Sequence, residues 1–417
     1  MTTPLASPQT NPEQPATAKK SWWEAMLTAT PVVLTVVATI LAGLSTSEMT
    51  LAQYHRSLAA QNQSKASDQW GFFQAKRQRG TAMENAFDLL APKFKPNHLE
   101  TGDIEAASRL LTQAIQDAQK ETGDLEKSLT APTDLGSAGE RIGQGVGELK
   151  KKVQAIAASA GMIEQKLRKE LAKEEIRTAF EYLSASQLPE IEAVTFEQAD
   201  ISQANQAILD RAEEKDLEPI LRKIQGADLQ RAIEAAEGNA KRFEGAGKPV
   251  GKTLDQISKL VDEQIAEAAA FHQAVRAYQL AVGNFRPQPA DKISADLQSA
   301  RAMLDKSDAA IQAAAEELHH LIKAGLFSYN ARRQRRESDY HLKTAGLYEV
   351  QVHLSSFASD RHRTRSKLFF FCMLAAQAGV TIASLSLAVH KRNVLWALAG
   401  LAGIAAVTFS GWVYLFM

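Results

Sequence analysis

The sequence predicts an all-α membrane protein, with three transmembrane helices and a large helical, partly coiled-coil domain between the first and second. Three observations carry that prediction. Ala, Gln, Glu, Lys and Leu are abundant while aromatic residues make up only 7% of the chain, a balance that favours long helices over sheets. Three uncharged apolar segments have the length and composition of membrane spans. Apolar residues elsewhere recur at spacings of three, four and seven, the period of helix faces that pack on other helices.

Bulk composition also excludes some functions. Lys plus Arg and Asp plus Glu both total 48, so the chain has no global basic field to draw in nucleic acid. Its one cysteine, Cys372, lies in an apolar run, so neither a disulfide framework nor a Cys-based zinc site is available within one chain.

Taken in order, residues 1–20 contain four prolines and almost nothing apolar, which predicts a disordered tail. Residues 25–46 form the first transmembrane helix. Its strongly apolar part is of signal-peptide length, but a polar lead precedes it and helical composition follows, so it reads as an uncleaved anchor. Residues 47–96 are a membrane-proximal helix whose stripe is Phe73, Gly80, Met83, Phe87 and Leu90, ended by Pro92 and Pro96.

Residues 97–325 read as a helical bundle or coiled-coil domain. One stripe runs Leu254, Ile257, Val261, Ile265, Ala268, Phe271, Val275, Tyr278 and Val282. A second repeats every seven residues at Leu297, Leu304, Ile311 and Leu318, with Ile293, Ala300, Ala314 and Leu321 beside it. Pro287 and Pro289 mark the turn between them. The glycine-rich stretch from Pro132, with Gly139, Gly143 and Gly147 four apart, reads as a flexible hinge; the alternative is a helix with a flat packing face.

A returning helix, 326–367, carries the stripe Tyr340, Leu347, Val350, Leu354 and Phe357. It must run antiparallel to the first membrane-proximal helix, and pairing the two stripes buries both. Residues 368–389 and 394–417 are the second and third transmembrane helices, joined by a short polar connection into a hairpin. Ala375, Gly379 and Ala383 on one, with Ala399, Gly403 and Gly411 on the other, are the small residues expected to pack helices in lipid.

Two stretches resemble the ends of a known family. They are "AAQNQSKASDQWGFFQAKRQRG" (Ala59 to Gly80), with its Asp68-x-Trp70-x-Phe72-Phe73-Gln74-Ala75-Lys76 segment, and the terminal hairpin from Leu368. Together they are similar to the bacterial membrane proteins of the domain of unknown function 4337 family. The resemblance supports the three-span topology and implies a bacterial inner membrane. It carries no activity, and it leaves the long middle region open.

The stretch with the strongest chemical suggestion is Ala246-Gly-Lys-Pro-Val-Gly-Lys252-Thr253, which fits a relaxed phosphate-loop pattern. A phosphate loop needs a buried strand feeding the turn, and the residues upstream are charged and helical. The stretch therefore reads as a helix-to-helix turn, with Gly245 and Gly247 ending one helix and Pro249 blocking its continuation. Glu316 with His319, and Glu317 with His320, have di-iron spacing, but no second copy exists and a solvated face is the simpler reading. Arg332, Arg333, Arg335 and Arg336 suit helix salt bridging or an acidic partner better than nucleic acid, since no aromatics interleave them.

These readings converge on a membrane-anchored helical scaffold or interaction module without catalytic, cofactor or metal residues. The alternative is a signal-transducing or effector protein acting through the hairpin. Expected partners are membrane lipid and either a second copy or another protein; no nucleic acid or small-molecule substrate is indicated. Trp70, Phe72 and Phe73 are expected to pack between the membrane-proximal helices. Arg361, Arg363, Arg365 and Lys367 form a basic membrane edge. With Arg56 and Lys65 they outnumber Lys19, Lys20, Lys391 and Arg392 on the other side, which places the helical domain in the cytoplasm.

Overall fold

A computed structural model describes residues 22–90, 99–130, 136–184, 187–195, 198–283, 292–388 and 392–416. The expected tail (1–20), Pro92, Pro96, the turn at Pro287 and Pro289, the side chain of Ile293, and Lys19, Lys20 and Lys391 lie outside the described residues. Among the described residues all regular structure is helical. In chain order the helices are α1 (Trp22–Leu90), α2 (Thr101–Thr130), α3 (Gly136–Leu171), α4 (Glu174–Ser184), α5 (Ala199–Leu209), α6 (Glu214–Leu221), α7 (Gly226–Gly283), α8 (Lys292–Ser386) and α9 (Arg392–Phe416). Three of them, α1, α8 and α9, contain stretches long and apolar enough to cross a membrane.

The chain forms two compact units. One draws on α1 up to Ser64, on Glu214–Lys223, and on the chain from Glu349 onward; the other comprises Lys65–Glu213 and Ile224–Tyr348. In the first, the apolar parts of α1, α8 and α9 bury small or medium residues against one another, including Ala38, Leu41, Cys372, Ala376, Ala406 and Val413. Many of their large residues point outward, with Val32, Val36, Ile40, Phe371, Leu401 and Ile404 all exposed, while Phe369 is buried in the cluster. That inversion of the soluble pattern is what lipid as solvent selects.

The second unit is a bundle around one continuous core. α2 contributes Ile104, Leu111 and Ile115, α3 contributes Val146, Leu149 and Val153, α7 contributes Leu254, Ile257, Val261 and Phe271, and α8 contributes Leu304, Ile311 and Leu318. The stripes read from α7 and α8 are thus the buried faces. Inside this core Gln264, fully buried, accepts from Ser108 Oγ (2.7 Å) and donates to Ser108 O and Thr112 Oγ1 (2.9 Å each). A buried amide with its partners met fixes the register of α2 on α7, because sliding either helix would strand it.

Two expectations from the sequence are corrected here. The phosphate-loop look-alike is no turn: residues 243–256 lie inside α7, with Pro249 in its interior. Proline in a helix removes the hydrogen bond to the carbonyl four residues back, here that of Gly245. Both Gly245 and Pro249 are exposed, so the missing bond falls on the solvent side of the helix, while buried Phe243, Leu254 and Ile257 hold it on either side. Likewise, from Gly136 onward, the glycine-rich stretch is not a hinge but the first turns of α3. Ile142, Val146 and Leu149 bury one face of it, and Gly145 lies against the ring of Tyr278 at 3.7 Å. In both places tertiary burial outweighs a local helix-breaking preference of about 1–3 kcal/mol.

Candidate functional site

Three places in the structure bring chemistry-bearing or packing residues together. The first is the apolar part of the membrane unit. Gly379 on α8 lies 3.2 Å from Ala399 O on α9 and 3.3 Å from Leu34 Cδ1 on α1, measured to the position a Cβ would take. Gly403 receives the other methyl of Leu34 so closely that a Cβ there would collide with it. Ala383 and Ala399 are fully buried with Leu34, and Ala375 is half-buried beside the neighbouring cluster. Trp396 Nε1 donates to Thr30 Oγ1 on α1 at 2.9 Å. The hairpin therefore packs on the first span as well as on itself, with Leu34 between the two glycines. Gly411 is not brought into this face: it is exposed, with open space around it. Twelve residues beyond Ala399, at about 100° per residue, it has rotated roughly a third of a turn away; Ala406 and Val413 take the inner positions.

The second place is the membrane edge. Ser45 Oγ donates to Ser366 O at 3.0 Å, and Ser366 Oγ donates back to Ser45 O at 2.8 Å. Seven residues on along α1 and seven back along α8, Ser359 Oγ donates to Ala52 O at 2.8 Å, so the two helices run antiparallel. Between these stitches His362 Nδ1 meets Glu48 Oε2 at 2.6 Å, and the His362 ring stacks on that of His55. Arg361, Arg363 and Lys367 are exposed around this seam; Arg365 is half-buried, and its Nε is enclosed without a hydrogen-bond partner.

The third place is in the helical body, where α1 and α8 meet again. Phe72 is not packed between them as expected. It is 52% exposed and tilts against the ring of His341, while Trp70, half-buried, stands edge-on to Phe73 at 5.5 Å. Polar groups also join the two helices here. Glu337, only 4% exposed, binds both Lys76 and Arg333, the latter at 2.8 Å. His341 Nδ1 meets Gln69 Oε1 at 2.8 Å, Arg335 pairs with Glu84, and Gly80 lies 3.5 Å from Ala331 O, again from a notional Cβ. Burial, and then the Lys76 cation, hold the His341 imidazole below its ordinary range. An aromatic triplet at Trp70, Phe72 and Phe73 attracts attention in a sequence; the signal that marked the polar contact was the run Arg332 to Glu337, rich in arginine, opposite a segment bearing Lys76 and Glu84. Salt bridging was the reading given to that run, and Arg333 and Arg335 fulfil it.

A groove of about 320 Å³ also opens between α7 and α8. Ile265, Ala268, Ala269 and Ala315 line it, with His272, Gln312, Glu316 and His319 as its polar groups. His272 Nδ1 is 2.7 Å from Asp308 Oδ2. Burial, and secondarily Lys323, depress the pKa of His319. Glu316 lines this groove, while Glu317 and the His320 ring belong to the bundle surface; among the described residues no group of three or more His, Cys, Asp or Glu is placed to hold a metal ion.

Comparison with curated proteins and with solved structures finds no match. A family model does match, the one described as Domain of unknown function (DUF4337), over residues 23–201. That range takes in the Trp70 to Lys76 segment and continues through α2, α3 and α4, while the terminal hairpin lies outside it. Over those residues, the chain is similar to the proteins that carry this domain.

Proposed function

We propose that this protein is a membrane-anchored helical scaffold or interaction module that does no chemistry of its own. The observation that supports it most is where the polar side chains go. Lys76 with Glu337 and Arg333, Gln264 with Ser108 and Thr112, Ser159 with Glu267 at 2.6 Å, and Tyr348 with Glu237 at 2.7 Å all join one helix to another. Groups spent on fixing helix register suit a protein whose product is a shape presented to a partner. The basic edge at Arg361, Arg363, Arg365 and Lys367 favours a cytoplasmic body on an inner membrane.

In-membrane cross-linking followed by mass spectrometry is the test. The scaffold reading expects stable adducts through the body to one partner, either a second copy or another protein. A purified full-length chain that turns over a substrate, with no adduct formed, would retire it. An alkaline-phosphatase fusion after Lys323 should be inactive; an active one would place the body outside the cytoplasm. The α7–α8 groove favours a second reading, a sensor whose body takes up a small apolar molecule. Ala269→Phe, which fills the groove from its exposed side, would abolish signalling on that reading and leave scaffolding intact.

A further inference from the structure

The membrane edge holds a pair of imidazoles in an arrangement that neither anchoring nor scaffolding requires. His55 on α1 and His362 on α8 stack with ring centroids 5.4 Å apart and planes inclined by only 4°. Tyr54 stands edge-on to His55 at 5.4 Å. His362 is held by Glu48, and both partners of that contact are largely enclosed, at 20% and 15% exposure. The serine stitches bracket the His362–Glu48 contact, Ser45 with Ser366 toward the membrane and Ser359 with Ala52 O away from it, and His55 lies three residues beyond Ala52 on α1. The stack thus adds imidazoles, side chains of the type that changes charge near neutral pH, to a seam whose flanking contacts are made by serine hydroxyls.

We propose that His55, His362 and Glu48 form a proton-sensitive clasp between α1 and α8, which loosens when His55 gains a proton. Glu48 can neutralise one cation in the stack, and it is committed to His362. A second proton, on His55, sets two cations face to face beside that one carboxylate. Of the other ionisable groups nearby, Tyr54 stands edge-on to His55, Arg365 is half-buried three residues along α8 from His362, and Arg56, Asp360, Arg361 and Arg363 are exposed; on α6 Glu218 is paired with Arg222 while Lys215 and Asp216 are exposed. Consistent with the geometry, burial and then His362 lower the pKa of His55.

The sign follows from linkage. A base whose pKa is lowered in the closed seam binds fewer protons there than in the open one. Closure is thus fully favoured above the free imidazole value of about 6.5, and is lost as pH falls from there through the lowered one. The response would be local, since the serine stitches and the apolar packing of α1, α8 and α9 do not titrate.

The test uses the full chain in lipid nanodiscs, with Cys372→Ala and nitroxide labels at Gln53 and Thr364, both exposed positions flanking the clasp. Pulsed electron paramagnetic resonance should give a single narrow distance at about pH 7.5 and a longer or broader one at about pH 5, with a midpoint below about 6.5. His55→Phe, which keeps the stack and removes the proton, should hold the narrow distance at both values. His353→Phe should leave the response unchanged. An absent response in the parent, or an undiminished one in His55→Phe, overturns the proposal, and so does its loss in His353→Phe. If His55→Phe fails to insert, His55→Gln supplies the same comparison.

Discussion

Gly247 on α7 gives its space to Arg333 on α8: a Cβ built at Gly247 would stand 2.9 Å from Arg333 Nε and 3.3 Å from its Cζ. Gly251, one turn on, would meet Arg333 Nη1 at 3.3 Å. Gly247 and Gly251, both inside the stretch with the nucleotide-site look, are a slot for a guanidinium. That guanidinium binds Glu337, which also holds Lys76. Gly247→Leu should therefore destabilise the body by about 1–3 kcal/mol as Arg333 is displaced. Gly245→Ala, two residues away and with nothing within 4 Å, should stabilise it by about 0.5–1 kcal/mol through helix propensity. Opposite shifts in Tm for the two variants are the measurement; shifts of one sign would refute the slot.

Glu337→Gln should be among the most damaging conservative changes in the chain. It leaves Lys76 and Arg333, at 21% and 16% exposure, facing each other without their common anion. Breaking a buried pair on one side costs about 3–5 kcal/mol. Adding Lys76→Met should recover part of that loss, and a double-mutant cycle read by denaturant titration would measure the coupling.

In the membrane unit, Gly379→Leu and Gly403→Leu should each separate the spans, because Leu34 already fills the space beside both. Gly411→Leu should leave packing intact. Disulfide trapping between cysteines placed at Thr30 and Trp396 would report it, with trapping lost for the first two and kept for the third. An equal loss at Gly411 would mean that its face is covered by a second copy.

Lys252→Ala should change neither stability nor ligand binding, and calorimetry should show no uptake of ATP or GTP by the parent chain. Lys252 is exposed on a continuous helix, so no loop of backbone amides exists there to surround a phosphate.

What could be read from sequence, and what could not, divides along physical lines. Burial periodicity was legible: the α7 stripe from Leu254 to Tyr278 and the α8 series Leu304, Ile311 and Leu318 are core residues. Glycine and proline misled at both glycine-rich stretches, because their breaking tendency is local while the decision was made by partners far along the chain. Pro249 sits in a helix since its face is exposed and its neighbours are not. Small residues in the spans were legible as packing residues, but a spacing of four drifts by about 40° each step, and by Gly411 the drift had left the interface. Leu34 had no signal at all. One leucine among many in an apolar run becomes special only when two glycines from distant helices close around it.

The paired serines at the membrane edge carry a consequence for biogenesis. Ser45 and Ser366 are 321 residues apart in sequence. At a synthesis rate of 5–20 residues per second, roughly 15–60 seconds pass between the emergence of the two. Throughout that interval the first span has been made while Gly379, Gly403 and Ser366 have not, so Leu34 and the inner hydroxyl have only lipid or an insertion factor beside them. The small-residue face that seals the finished unit is, during synthesis, an open seat that the membrane machinery must hold until the far end of the chain arrives.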